Sequence, residues 1–245
     1  MSSCLKILDL FRKSMVLLSF HLKIIKKLKE LNLKRITIFN FLKSHDGYLY
    51  YYGFLKEMKV FVKVDTRLCH LKNEVVFYNI FKDKLSLIQV LDFYENQDFQ
   101  ILISEFTEDK QLNESEIIAS PKILLDIFEI LKIINHNLVI HRDVRLENFI
   151  IHDGHVRIID FTFATSLQSL HLFKNLSVEN NYELEVLKKI GCNFKPNILE
   201  WNDFYSMHKI IEQILDLQML ERERSLIKEY NTLFINKIKN NSLYL

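Results

Sequence analysis

The stretch that decides the fold runs from Val139 to Thr165 and reads VIHRDVRLENFIIHDGHVRIIDFTFAT. It has three parts. His141-Arg142-Asp143 leads by five positions to Asn148. Apolar Phe149-Ile150-Ile151 then runs to a His152-Asp153-Gly154-His155 tip, and Val156 to Ile159 returns. Asp-Gly between two β-forming runs is a strong signal for a tight hairpin. The hairpin delivers Asp160-Phe161 at its far end. Asp143, Asn148 and Asp160 therefore come from one loop and one hairpin, and can converge on a single point.

Phosphoryl transfer needs such a convergence. Two oxygen ligands hold magnesium on the nucleotide phosphates, and a third carboxylate orients the attacking hydroxyl. The stretch resembles the catalytic loop and magnesium loop of the protein-kinase superfamily, H-R-D-x-x-x-x-N followed by D-F-G. The resemblance implies Asp143 as catalytic base, with Asn148 and Asp160 as magnesium ligands. Thr162 stands where the family has glycine, and its Cβ restricts the backbone flip that such loops make. That bears on conformational switching, not on metal binding. His152 and His155 flank the hairpin tip with no carboxylate set beyond Asp153, and read as solvated turn residues rather than a metal pair.

The chain has 245 residues, enough for one domain of two lobes or two small domains, and 49% of them are apolar. A net charge of +2 does not point to a nucleic-acid binder. The three cysteines, Cys4, Cys69 and Cys192, form no C-x-x-C pair, and their scatter fits a reducing compartment. Only 4 Gly and 2 Pro occur, so a glycine missing from a motif weighs little. Charge is uneven. Residues 1–35 hold nine Lys/Arg against Asp9 and Glu30, net +7, while the remainder is −5.

Leu8, Phe11, Met15, Leu18, Leu22 and Ile25 recur at helical spacing, so residues 5–31 read as a basic amphipathic helix. It either packs on the first lobe or rests on an anionic membrane face. Its longest apolar run is too short to span a bilayer, and no small-residue cleavage site marks a signal peptide. Ile36–Leu42, Tyr48–Leu55 and Val60–Val64 read as three strands. The turn at residues 44–47 keeps only Gly47 of the family's glycine-rich loop. Lys63, in Val60-Phe61-Val62-Lys63-Val64, resembles the V-A-I-K lysine that holds the α- and β-phosphates. Alternation puts it on the face of Phe61, where it needs a partner. Glu74, on a helix from Glu74 to Phe81, is the natural one.

Leu85–Tyr94 and Phe99–Phe106 read as the fourth and fifth strands. The resemblance makes Glu105-Phe106-Thr107 the hinge whose backbone reads the adenine edge, with Ser104 at the gatekeeper position. Ser120 as cap and Pro121 at the first helical position open a helix to about Asn137. Arg145, two after Asp143, takes the place of a lysine common in serine/threonine kinases and can neutralise the γ-phosphate. His141 reads as a packed support. Residues 166–200 occupy the place of the activation segment. Asp203 opens the helix Phe204–Leu217, either as its cap or, by resemblance, as the buried aspartate that braces the catalytic loop. Glu221–Lys239 is a further charged helix.

The expected class is α+β: a bilobal protein-kinase-like fold with a five-stranded antiparallel N-lobe sheet and a mainly helical, shortened C-lobe. The expected boundaries are 1–31 for the basic helix, 32–106 for the N-lobe and 107–245 for the C-lobe. Only 85 residues follow Asp160. That suits a small acceptor, and the layout is similar to compact bacterial lipopolysaccharide-core kinases of the heptose type. This narrower likeness rests on Lys72-Asn73-Glu74, the catalytic stretch, and Lys195-Pro196 with Trp201-Asn202-Asp203-Phe204-Tyr205-Ser206. The resemblance implies an ATP- and Mg2+-dependent kinase acting on a sugar or glycolipid hydroxyl in the cytoplasm, and the basic amphipathic residues 1–31 fit peripheral contact with the inner face of the inner membrane. Asp143, Lys63, Glu74 and Arg145 would be catalytic, and Lys63, Gly47, Glu105, Thr107, Asn148 and Asp160 would bind the nucleotide. A protein serine/threonine kinase and a pseudokinase scaffold are the alternatives.

Overall fold

Residues 20–38, 48–66, 71–166 and 202–240 are described by a computed structural model. Gly47, the end of the first expected strand, residues 167–200 and Trp201 lie outside them. The chain divides into two units. Unit 1 is Met1–Leu68 with Val90–Phe106, and unit 2 is Cys69–Gln89 with Thr107–Leu245.

Unit 1 is built on an antiparallel sheet of five strands: β1 (Lys34–Ile38), β2 (Tyr48–Leu55), β3 (Met58–Asp65), β4 (Val90–Glu95) and β5 (Gln100–Glu105), in the order β1-β2-β3-β5-β4. Period-two alternation sorts its side chains. Leu49, Tyr51, Val60, Val62, Val64, Ile101 and Ile103 share one face and are all buried. Residues 20–30 form helix α1, which buries Ile24 and Leu28 in the same core. Each such aliphatic side chain contributes about 1.5–3 kcal/mol on leaving water.

The stripe on α1 differs from the sequence pattern. Leu22, expected on it, is 65% exposed, because Ile24 and Leu28, one turn apart, take the inward direction. The basic side chains stay at the rim. Lys23 pairs with Asp98 at 2.9 Å, and Lys27 lies 4.0 Å from the Tyr94 ring centroid. The apolar side of the described helix is thus occupied by its own sheet. Among the described residues no helix is long and apolar enough to cross a membrane.

Two strands are shifted. β1 starts at Lys34, ahead of Ile36. The fourth strand is Val90–Glu95, not Leu85–Tyr94. Leu85 instead closes the turn after a helix, its N–H donating to Phe81 O at 2.9 Å, and is buried in the core of unit 2. One apolar run serves two cores, which sequence pattern reads as one strand.

Unit 2 is mainly helical: α2 (Leu71–Phe81), α3 (Glu114–Ala119), α4 (Ile123–His136), α5 (Asp203–Leu215) and α6 (Glu221–Asn240). Leu124, Ile127, Leu131 and Ile134 of α4 meet Phe204, Met207 and Ile211 of α5 in one core. Phe128, Phe204 and Phe234 cluster there, with ring centroids 5.2–6.3 Å apart. The expected cap at Ser120 is not formed. Ser120 closes α3 through its own N–H to Glu116 O, and α4 begins at Ile123. The entry is a tight turn, with Ile123 N–H donating to Ser120 O and Leu124 N–H to Pro121 O, both at 3.0 Å.

Short strands carry the decisive stretch. β6 (Lys110–Gln111), β8 (Phe149–His152) and β9 (His155–Ile158) form one sheet, and β7 (Val139–Ile140) pairs with β10 (Thr165–Ser166). The β8–β9 loop is Asp153–Gly154, with φ of 48° and 78°. Two positive φ values make the mirror-image turn that matches strand twist, so the Asp-Gly signal is met.

Candidate active site

Helix α4 runs through β7 into the loop 141–148, and a buried carboxylate fixes that loop. Asp203, in the first turn of α5, accepts the backbone N–H of His141 at 2.6 Å and of Arg142 at 3.0 Å. Arg142 has φ 69°, a left-handed conformation that costs about 1–2 kcal/mol for a residue with a Cβ. Two hydrogen bonds to a charged acceptor, each worth about 1.5–3 kcal/mol, offset it. The cap of α5 is Asn202, whose Oδ1 accepts the N–H of Tyr205. Of the two roles the sequence left open for Asp203, the structure selects the brace. His141 is fully buried, has its Nε2 3.1 Å from Ile159 O, and sets its ring edge-on to Phe161. It is the packed support its setting predicted.

Asp143 and Asn148 are both 4% exposed and are joined twice. Asn148 Nδ2 donates to the Asp143 backbone O at 2.8 Å and to its Oδ2 at 2.9 Å. This spends the amide nitrogen and leaves its oxygen, a hard acceptor, for a cation. Arg145 Nε stands 3.6 Å from Asp143 Oδ2. The hairpin keeps Asp160 in step, because Ile159 N–H donates to Asn148 O at 2.9 Å. Asp160 itself is left-handed, at φ 65° and ψ 67°, and half-buried. A carboxylate and an amide oxygen suit magnesium, which takes few protein ligands and completes its shell with phosphate and water. The donor chemistry therefore fits the ion.

Behind Asp160 the chain makes a short 3-10 turn, Phe161–Phe163, packed on α2. Phe161 stacks on Phe81 at 5.5 Å. Thr162, buried, donates its hydroxyl to Glu74 Oε2 at 3.1 Å. Asn73 Nδ2 lies 2.8 Å from Ala164 O, 3.0 Å from Thr162 O and 3.4 Å from Phe161 O. Sequence reading gave Glu74 as the partner of Lys63, not of Thr162, and gave Asn73 no role. The only hint was the run Lys72-Asn73-Glu74. At the far tip of the hairpin, His152 Nδ1 is 2.8 Å from Asp109 Oδ1. Desolvation pushes the Asp109 carboxyl up, but hydrogen bonds with Thr107 and His152 and the charges of His152 and Arg157 outweigh it and hold it below its ordinary value. His155 is exposed, as expected of a turn residue, whereas His152, read the same way, is half-buried against Asp109.

Unit 2 thus brings together Asp143, Arg145, Asn148, Asp160 and Glu74. Thr107 also belongs to it, its Oγ1 accepting the N–H of Asp109. Lys63 and Glu105 belong to unit 1, and Gly47 lies outside the described residues. Lys63 is 6% exposed, opposite Tyr50 and Leu102 in the register, with Nζ 5.3 Å from the Tyr48 ring centroid. Glu105 pairs with Val60, and Phe106 N–H donates to Lys59 O.

The protein kinase domain family matches residues 41–191. Serine/threonine-protein kinase PLK2 of Mus musculus is 28% identical over 138 residues, covering 54% of this chain and 19% of that protein. The PLK2 proteins of Rattus norvegicus and Pongo abelii match to the same extent. The chain thus spans about a fifth of the length of the curated relatives it matches. Among solved structures, the Cydia pomonella granulovirus kinase PK-1 superposes with a TM-score of 0.55 at 14% identity, over 91% of this chain and 98% of that one. At that identity the likeness is one of fold.

Proposed function

Because the chain belongs to the protein kinase domain family, and is by that membership an ATP-dependent kinase, we propose that it transfers the γ-phosphate of ATP to a serine or threonine hydroxyl of a protein. The observation that carries the reading is the pair of hydrogen bonds that Asn148 Nδ2 donates to the Asp143 backbone O and Oδ2. It holds one carboxylate oxygen and leaves Oδ1 to accept the proton of an incoming hydroxyl. Positioning of this kind is most of what phosphoryl transfer asks of a protein.

Asn148 and Asp160 are the proposed magnesium ligands, and Lys63 the proposed grip on the α- and β-phosphates. When bound, magnesium neutralises charge on the phosphoryl oxygens. Arg145, beside Asp143, adds a cation near the transferred group. Glu105 and Thr107 flank the backbone proposed to read the adenine edge.

The protein acceptor is supported by the relatives, which are serine/threonine kinases by name. A sugar acceptor of the heptose-kinase type drew on Lys72-Asn73-Glu74, on the catalytic stretch, and on Lys195-Pro196 with Trp201-Asn202-Asp203-Phe204-Tyr205-Ser206. Asn73 and Asp203 both make bonds within unit 2 that serve any acceptor, so these two residues no longer favour a sugar. The test is transfer of label from ATP, with magnesium, to a serine/threonine peptide library and to lipopolysaccharide-core sugars. Labelled peptides are expected, and label confined to the sugars would reverse the choice of acceptor. The pseudokinase alternative meets a separate test. ATP with magnesium at a hundred times its Kd is expected to stabilise the fold by about 2.7 kcal/mol. A fold stabilised in that way but without transfer to any acceptor would be a scaffold.

A further inference from the structure

Helix α2 and the loop that follows Asp160 are tied by side chains of which only Glu74 belongs to the expected catalytic set. Asn73 Nδ2 faces three backbone carbonyls at once. An amide has two N–H groups, so Ala164 O and Thr162 O take them, and the longer contact to Phe161 O shares one. The orientation is fixed by its surroundings, since the reverse would point the amide oxygen at three carbonyl oxygens. One residue on, Glu74 Oε2 accepts the Thr162 hydroxyl at 3.1 Å. Two consecutive helix residues thus clasp loop positions 161, 162 and 164: Asn73 donates to their carbonyls, and Glu74 accepts the Thr162 hydroxyl. The Phe81–Phe161 stack closes the clasp below.

We propose that Asn73 and Thr162 are positioning residues that fasten the magnesium loop to α2, so that Asp160 is held in place before nucleotide arrives. The inference rests on the reading of Asp160 as a magnesium ligand, and adds a function for a threonine where the family motif has glycine. A glycine at 162 has no hydroxyl and no Cβ, so it would release both the bond to Glu74 and the restriction on φ and ψ. Thr162, at φ within a 3-10 turn, carries both. Asp160, left-handed and thus conformationally costly, is the residue that such a clasp steadies. The groups of the clasp, on Asn73, Glu74 and residues 161–164, belong to unit 2.

The test uses the full chain and two variants. Thr162→Val keeps the volume and loses the hydroxyl; Asn73→Asp keeps the shape and turns the donor into an acceptor. Thr162→Ser, which retains the hydroxyl, serves as rescue. Hydrogen exchange without nucleotide is read at the amides of residues 161–164 and, as reference, in α4. Loop exchange is expected to rise about 10-fold in each variant, with α4 unchanged and Thr162→Ser near wild type. Titration of magnesium at fixed ATP, followed by thermal stabilisation, is expected to need several-fold more magnesium in Thr162→Val than in wild type. Unchanged loop exchange in both Thr162→Val and Asn73→Asp would overturn the clasp. Equal exchange rises in loop and α4 would also overturn it, showing general loosening instead. If wild type shows no magnesium-dependent stabilisation by ATP, the reading of Asp160 falls, while hydrogen exchange still decides whether the loop is fastened to α2.

Discussion

The sheet of unit 1 and the loops of unit 2 are held by opposite means. The sheet is fixed by an apolar face: Val60, Val62, Val64, Ile101 and Ile103 lie under Ile24 and Leu28, all at 1% exposure or less. The loops are fixed by buried polar groups: Asp203 on two amides, Asn148 on Asp143, Asn73 on three carbonyls. Apolar burial is additive and tolerant, because it scales with area removed from water. A buried polar group is all or nothing, since a lost partner leaves the other desolvated and unmatched. The first kind of region is built for stability and the second for geometry. Stability and activity should therefore respond separately to substitutions in the two places.

The largest stability effect belongs to the sheet. Leu28→Ala should cost about 2–5 kcal/mol by chemical denaturation, with kcat per folded molecule unchanged. A fall in kcat would break the division. Asp203→Asn should cost less, about 1.5–3 kcal/mol, because the amide can accept only one of the two N–H groups and carries no charge. Its kcat should fall at least 10-fold, as the left-handed Arg142 relaxes and Asp143 shifts. Retention of full kcat would show that the brace does not position the loop. Gly154→Ala comes next, at about 1 kcal/mol. No atom lies within 4 Å of the added Cβ, so the cost is the positive φ of 78° alone. Gly154→Asn, which tolerates that φ, should lose less.

The smallest effect is a pH dependence in unit 1. Burial lowers the pKa of His21 below its ordinary 6.5, and its Nδ1 lies 3.0 Å from the Tyr51 hydroxyl, whose own pKa burial raises. Below pH 6.5 the unfolded chain takes up a proton that folded His21 refuses. The contribution is therefore complete above 6.5 and lost as pH falls through the folded value. Unfolding curves from pH 7.5 to 5 should show His21→Phe less acid-sensitive than wild type. Identical pH profiles would remove His21 from the account.

The same division explains what the sequence could tell. Tyr48–Leu55 reads as a strand because aromatic residues, which favour strands, fill it, and the Asp153-Gly154 turn because few dipeptides accept two positive φ values. The start of α4 was misplaced because Ser120 fits two roles, and only the neighbouring α3 decides between them. Leu85 was misplaced because an apolar residue does not say which core it joins. Within the candidate site, Asp143, Asn148 and Asp160 were legible through spacing shared with a known motif. Asn73 was not, because an asparagine on a helix resembles any surface polar residue until its three carbonyl partners, about 90 positions away, are in view. Buried polar geometry is long-range, and local pattern does not encode it.

The central claim is that Asp143, fixed by Asn148, serves the transfer and not the fold. Single-turnover transfer of the ATP γ-phosphate to a serine or threonine peptide, compared between wild type and Asp143→Asn, tests it most directly. The account predicts a fall of about 10²–10⁴-fold in the variant, with the two proteins unfolding at closely similar temperatures. Equal transfer rates, or a loss of activity that follows a loss of fold, would contradict it.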